Sequence, residues 1–310
     1  MSRRPIVSII TPSYNQGEFI EETILSIKGQ TYKNFEHIVV DAGSTDNTLE
    51  ILRKYEGTYN LTWSSEPDDG MYQAINKGLK KAQGEILCYL NTDDLYLPWT
   101  LRAVVDSIDK KTDVDLIYGD IIKLDEIKGT IELEFCPKFY SRIDILGGGL
   151  YQPAVFWRRK AYEKIGGFDE NLIYSGDYEY WMRIAQQGKI KKVNEFIAVD
   201  RNHYRRKTVA LADLSDTELD RVRKKYGLFP IPRSWLKYFY GYYSFFSRRY
   251  YMGLFIKQAW QRSGQTRKYW INFLSSPELQ LPNPVHLLFR FVPLVGKKKY
   301  PWIINKLPSR

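Results

Sequence analysis

The sequence predicts an α/β fold, a doubly wound and mostly parallel sheet followed by a basic, aromatic extension of helical character. Three observations carry this. Short apolar runs alternate with segments of helical periodicity along residues 6–90. Polar or acidic clusters follow those runs in turn. Composition then changes abruptly: from Pro230 to Arg310 fourteen Lys and Arg face one acid, Glu278, a net +13 that leaves residues 1–229 at −3 of the overall +10.

The elements read in order. Ile6–Ile10 is a short strand, and Gly17–Lys28 has helical spacing at Phe19, Ile20, Ile24 and Ile27. Phe35–Val40 is a second strand ending in Asp41-Ala42-Gly43. Ser44–Thr48 supplies N-cap chemistry for a helix through Tyr55. Leu61–Ser64 is a third strand, and Met71–Ala82 a third helix with Ile75, Leu79 and Ala82 on one face. Ile86–Leu90 is a fourth strand, followed by Asn91-Thr92-Asp93-Asp94. Repeated β-α units of this length favour parallel pairing, and right-handed crossovers bring the strands' carboxyl ends to one edge. Thr11–Tyr14, Asp41, Glu66–Asp69 and Asp93-Asp94 then share one crevice.

Length and composition bound the rest. A chain of 310 residues holds one large core or two smaller ones. Cys88 and Cys136 show neither a disulfide framework nor metal-ligand spacing, which suits a reducing compartment. Met1–Pro5 leads straight into a strand with no apolar signal core, and no run of about eighteen apolar residues occurs. A cytoplasmic protein is expected. No recognised nucleic-acid module occurs, so no nucleic-acid partner is expected.

Asp93-Asp94 is the most informative pair. Two carboxylates at the end of a buried strand are costly unless a cation meets them, and ligands bind at that edge of an open α/β sheet. A divalent metal holding a diphosphate satisfies both conditions. A solvated turn capping the helix near Thr100 is the competing reading. No Gly-x-Gly-x-x-Gly and no Gly-Lys-Ser/Thr loop appears, so phosphate binding by those loops is unsupported.

Several motifs now stand in order: Ile6-Val7-Ser8-Ile9-Ile10-Thr11-Pro12-Ser13-Tyr14-Asn15, Ser26–Tyr32, Val39–Thr48, Asn76-Lys77-Gly78, Asn91–Asp94, Ile165–Glu170 and Gly176–Arg183. Together they resemble the family 2 glycosyltransferases, of GT-A fold, over roughly residues 5–205. Ser65–Tyr72 is close to the Ser-Glu-x-Asp-x-Gly-x-Tyr pattern of a subgroup resembling enzymes of bacterial surface-polysaccharide assembly. The resemblance implies an inverting, metal-dependent transfer of one sugar from a nucleotide-diphosphate donor to a hydroxyl of a glycan or polyprenyl-diphosphate-linked acceptor. A Gln-x-x-Arg-Trp signature of processive synthases is absent. It further implies a catalytic domain over 1–229, with a nucleotide-sugar half at about 1–120 and an acceptor half at about 121–229.

The resemblance assigns roles to residues. Thr11, Ser13 and Tyr14 would cover the nucleoside, with Asp41 near the base; a turn or helix-cap role beside Ser44 and Asp46 is its competing reading. Ala42 stands where relatives often carry a second Asp. Asp93 would contact ribose or sugar, and Asp94 would hold Mg²⁺ or Mn²⁺. His203 is a second metal candidate, or a structural histidine. The carboxylates of Glu66–Asp69, Asp68 among them, would contact the donor sugar or cap the third helix, as Asp69 readily could. Gln152, after Gly147-Gly148-Gly149, is an acceptor candidate or a plain loop residue. Arg201, Arg205, Arg206 and Lys207 would bind diphosphate or face solvent. Asp177 is the proposed base: inversion needs a carboxylate to take the acceptor's proton, on a different element from the metal site. Its competing role is to N-cap the helix Tyr178–Gln187. The aromatic, basic segment 230–310 suits the cytoplasmic face of a membrane, or helices packed on the body. A non-catalytic nucleotide-binding or membrane scaffold protein is the alternative function.

Overall fold

The computed structural model describes residues 6–108, 113–127, 130–136, 150–206 and 212–226. The expected membrane-associating segment 230–310, Gly147–Gly149 and Lys207 lie outside the described residues.

Strand β1 (Val7–Ser13) is buried along its whole length, as a strand covered on both faces must be. It lies between β2 (Phe35–Asp41) and β4 (Ile86–Tyr89), parallel to both. Strand β3 (Leu61–Ser65) extends the parallel set beyond β2. Helices α1 (Ile20–Lys28), α2 (Thr48–Tyr55) and α3 (Met71–Lys81) make the crossovers. Each buries one stripe, Ile20, Ile24 and Ile27 on α1 and Tyr72, Ile75 and Leu79 on α3. Helix α3 packs on β1 so closely that a Cβ on Gly78 would come within 2.5 Å of Ile10 Cγ2. That contact gives the glycine of Asn76-Lys77-Gly78 a packing reason.

The remainder completes one sheet among the described residues, in the order β3-β2-β1-β4-β8-β6-β9-β5 with β7 beside β6. Its later elements are β5 (Leu95–Tyr96), α4 (Thr100–Ser107), β6 (Val114–Asp125), β7 (Thr130–Glu134), β8 (Val155–Arg158), α5 (Arg159–Ile165), α6 (Gly176–Gln187), β9 (Lys189–Asn202) and α7 (Ala212–Lys225). Strand β8 runs antiparallel to both β4 and β6, and β9 runs parallel to β6. Strands β1, β2, β3, β4, β6 and β9 therefore point the same way, and the mostly parallel sheet expected from sequence is present. The expectation that every strand ends at one edge is corrected for β5, β7 and β8, which run against the others. The boundary drawn near residue 120 falls inside β6, so the two expected halves share a strand.

Two sequence readings change. Helix α1 begins at Ile20, not Gly17, because Gly17 belongs to a loop pressed against α2. Its N–H donates to Asp46 Oδ2 at 2.9 Å. A Cβ there would lie 1.7 Å from Asn47 Oδ1. Strand β9 runs from Lys189 to Asn202 rather than over Phe196–Val199 alone. Lys192 hides its length: the side chain is buried and meets Asp120 Oδ1 on β6 at 2.6 Å. Asp120 also accepts the Cys136 N–H, and Lys192 donates to the Cys136 carbonyl. Burial pushes the Asp120 carboxyl up to about 6, against the pull of Lys192.

Lys192→Met leaves Asp120 buried and uncompensated, and is expected to cost about 3–5 kcal/mol in urea unfolding. A folded-state pKa above the unfolded value stabilises only below that pKa. The loss therefore shrinks as pH falls and Asp120 takes up its proton. A pH-independent loss would contradict an ionised Asp120.

Candidate active site

The carboxyl ends of β1, β3, β4, β6 and β9 open on a cavity of about 800 Å³. Ser13 and Tyr14 enter its wall from β1, Asp68 from the loop before α3, and Asn91–Asp94 from the end of β4. Lys123 comes from β6, Gln152 from the turn before β8, and Asp177 from the start of α6. Asp200, His203, Arg205 and Arg206 complete it from the end of β9. Thr11 and Asp41 are not in this wall.

Thr11 is buried inside β1, its hydroxyl 2.9 Å from His37 Nε2. Burial holds His37 neutral, its pKa lowered to about 3. Asp41 is fully buried and braces a turn: it accepts the N–H groups of Gly43 and Ser44 and the hydroxyls of Ser44 and Ser65. Ser44 Oγ also accepts the Asn15 N–H at 2.7 Å, tying the loop after β1 to the loop after β2. Asn15 sits at φ 51°, a conformation asparagine tolerates better than most residues. These contacts make Asp41 the brace behind Ser13 and Tyr14. Ser13 Oγ is buried with no hydrogen-bond partner, while Tyr14 is 59% exposed at the mouth.

Asp94 is buried, and its Oδ1 accepts the Arg201 N–H at 3.1 Å. Its carboxyl is held well above the usual range by burial, then by Asp93 and Asp200. Asp93 Oδ2 lies 3.0 Å from His203 Nε2. The turn is fixed from α1, where buried Thr23 donates its hydroxyl to the carbonyls of Thr92 and Asp94, at 2.7 and 2.9 Å. Asp200 pairs with Arg206 at 2.5 Å. Arg201 belongs elsewhere: buried, it pairs with Glu22 on α1 and lies over the Phe19 ring, which packs 4.3 Å from the His203 ring. Neither solvent nor cavity receives its guanidinium. Arg205 is exposed and pairs with Glu18.

This donor set fits a divalent cation. Three carboxylates crowd the edge, Arg206 pairs with Asp200 and only partly offsets Asp94, and the buried His203 Nδ1 has no partner. Hard oxygen donors with one imidazole suit Mg²⁺ or Mn²⁺. The protein does not form a finished cage: among the described residues no three Asp, Glu, His or Cys side chains are close enough to hold an ion by themselves. An open coordination shell of this kind needs water or phosphate oxygens to complete it.

Across the cavity, Gln152 Nε2 donates to the Tyr89 carbonyl at 2.7 Å and Oε1 accepts from Asn91. Its side-chain amide is thus bound to the end of β4. Asp68 Oδ1 accepts the Gly70 N–H, and burial raises its pKa. Asp69 instead exchanges hydrogen bonds with Gln73 in the first turn of α3.

Asp177 lies within the first turn of α6, not at its cap. The helix starts at Gly176, and Ser175 caps it without a side-chain bond. The N–H groups of Gly176 and Asp177 both donate to Tyr72 Oη, at 2.9 and 3.3 Å. Packing holds this helix to α3. Phe168 stacks between Tyr72 and Tyr180, with centroids 5.6 and 4.0 Å away. Asn76 exchanges two hydrogen bonds with the Phe168 backbone. Arg183 donates to the carbonyls of Ile165 and Gly167. The separate sequence motifs are therefore one framework that carries Asp177 to the cavity. Sequence reading missed Thr23, Lys123, Tyr72 and Asp200. Tyr72 closes the Ser65–Tyr72 pattern but carried no role there; for the others the only signal was position, a polar residue on an otherwise apolar face or at a strand end.

The sheet order and the cavity at its carboxyl edge define a GT-A-type α/β fold. The chain belongs to glycosyl transferase family 2, whose profile matches residues 8–166. It is 32% identical over 193 residues to an uncharacterized glycosyltransferase of Mycobacterium tuberculosis strain CDC 1551, covering 60% of this chain and 71% of that protein. Its fold matches TarS 1–349 of S. aureus in complex with UDP-GlcNAc, at TM-score 0.60 and 20% identity over 86% of this chain and 79% of that one. It also matches the mannosyltransferase PcManGT of Pyrobaculum calidifontis in complex with GDP-Man and Mn²⁺, at TM-score 0.56 and 19% identity over 93% and 84%. The protein is a glycosyltransferase.

Thr23→Val keeps the shape of the side chain and removes the donor from two buried carbonyls. Urea unfolding should show a loss of about 1–3 kcal/mol. An unchanged midpoint would mean that the Asp93-Asp94 turn holds itself.

Proposed function

We propose that the chain transfers one sugar, with inversion, from a nucleotide-diphosphate sugar to a hydroxyl of a glycan or lipid-linked acceptor in surface-polysaccharide assembly. One observation carries this reading: Asp94 and Asp177 reach the same cavity from separate elements, the first within a group of carboxylates and the second at a helix N-terminus. The fold neighbours crystallised with UDP-GlcNAc, or with GDP-Man and Mn²⁺, support a nucleotide-sugar donor and a metal.

Asp94, Asp93 and His203 would hold Mg²⁺ or Mn²⁺. That ion supplies charge stabilisation to the departing diphosphate. The chain's own groups do the rest. Tyr14 and Ser13 close over the nucleoside, and Asp68 meets the donor. Arg205 and Arg206 add positive charge toward the phosphates. Asp177 takes the proton from the acceptor hydroxyl as its oxygen attacks the anomeric carbon. Its place in the first turn of α6 favours the ionised carboxylate. Gln152 orients the acceptor side through its bond to β4. Attachment of 230–310 to the cytoplasmic face of a membrane would place a lipid-linked acceptor within reach. A scaffold that binds nucleotide without transfer is the reading these experiments separate.

Two variants test the assignment in a donor panel read by nucleoside diphosphate release. Asp177→Asn should keep donor affinity and lose about 100- to 10,000-fold in kcat, and wild-type turnover in that variant would remove Asp177 from the base role. Mn²⁺ should raise the thermal midpoint of the wild type in the presence of nucleoside diphosphate, and EDTA should reverse it. Asp94→Asn should abolish both effects. A midpoint indifferent to Mn²⁺ would contradict the metal assignment.

A further inference from the structure

Five consecutive backbone N–H groups, Ile173 to Asp177, are taken by only two side chains. Tyr72 Oη accepts the last two and donates to the Tyr174 carbonyl at 2.9 Å. Glu218, on α7, accepts the first three: Oε1 from Ile173 at 2.9 Å, Oε2 from Tyr174 at 2.8 Å and from Ser175 at 3.0 Å. The Ser175 hydroxyl reaches the same Oε2 at 3.1 Å. Every partner of Glu218 here is a donor, and the residue is 5% exposed.

We infer that Glu218 is a positioning residue for the reaction: it fixes the loop that aims the Asp177 carboxylate, and α7 is thereby part of the catalytic apparatus. This rests on the assignment of Asp177 as base. The chemistry asks for a carboxylate at this position. Its lone pairs satisfy all four donors, whereas an amide presents an NH₂ group to N–H groups that need acceptors. Burial alone opposes the charge, but the N–H groups of Ile173, Ser175 and Tyr174 together hold the carboxyl below its ordinary range. The far end of α7 is tied to the same helix. Lys225 Nζ and Tyr226 Oη meet Glu179 Oε1 at 3.0 and 2.7 Å, while Arg183 holds Oε2. Helix α7 thus grips α6 within its first turn, at Glu179, and again just before it, a geometry that fixes direction as well as distance. Asp177 Oδ1 accepts the Tyr178 N–H at 2.6 Å, so the aim of the carboxylate follows the start of α6, which this loop fixes. A displacement of about 1 Å at a reacting group lowers turnover about 100-fold.

The test uses the full chain and the donor chosen by a panel of UDP-, GDP- and dTDP-sugars, with water as acceptor and nucleoside diphosphate release as readout. Glu218→Gln should lower kcat by about 10- to 100-fold with donor KM unchanged, and amide exchange at residues 173–177 should quicken. Glu218→Asp keeps the charge and shortens the reach, so its kcat should fall between those of Glu218→Gln and wild type. If the glutamine variant does not fold, the aspartate variant carries the same split of kcat from KM. Adding Glu218→Gln to Asp177→Asn should cost nothing further, because the effect passes through Asp177. Wild-type kcat in Glu218→Gln, or an equal loss in both backgrounds, overturns the inference while the base assignment stands. Wild-type turnover in Asp177→Asn alone overturns the base assignment and the inference together.

Discussion

Excess negative charge at the carboxyl edge of the sheet is the constraint around which this protein is arranged. Asp93 and Asp94 follow β4 and Asp200 lies on β9, and Arg206 ion-pairs with Asp200 while only partly offsetting Asp94. Burying a carboxylate without a full counter-charge costs several kcal/mol in order of magnitude. A folded chain tolerates that where a ligand repays the cost. The neighbouring structure is built to hold the charges in place. Thr23 anchors the turn from α1, the Arg201 N–H grips Asp94 from β9, and Phe19 packs on His203.

The second organising feature is the aromatic and hydrogen-bonded joint between α3 and α6. Tyr72, Phe168 and Tyr180 stack, and Asn76 and Arg183 bind the backbone of Ile165–Phe168. This joint sets the distance between the strand edge and the helix bearing Asp177. Neither feature would serve alone. On the proposed function, the strand edge alone would hold a diphosphate with no base opposite it, and the helix alone would carry a base with no leaving group to face.

Much of this was legible in sequence, for physical reasons. Strands β1, β2 and β4 are buried on both faces, so their apolar runs stood out. Helices α1 and α3 showed their buried stripes. The acidic pair announced itself because it interrupts an apolar run. The second half of the sheet was hidden by its charges. Asp120, Lys192 and Arg201 are all buried, yet in sequence they read as solvent-facing, and their partners are distant in the chain. Helix α7 and Glu218 were invisible for the same reason: a carboxylate that binds backbone N–H groups leaves no pattern in side-chain types. Asp41 was readable both ways, as a contact near the base or as a turn residue beside Ser44, and its carboxylate makes the turn contacts.

The most direct measurement is anomalous diffraction at the manganese edge from crystals grown with Mn²⁺ and the nucleoside diphosphate that the enzyme releases. A cation that balances the buried carboxylates predicts one peak within coordination distance of Asp94, bridging to the diphosphate. A nucleotide seated in the cavity with its phosphates on Arg205, Arg206 or Lys123 and no manganese peak would contradict it.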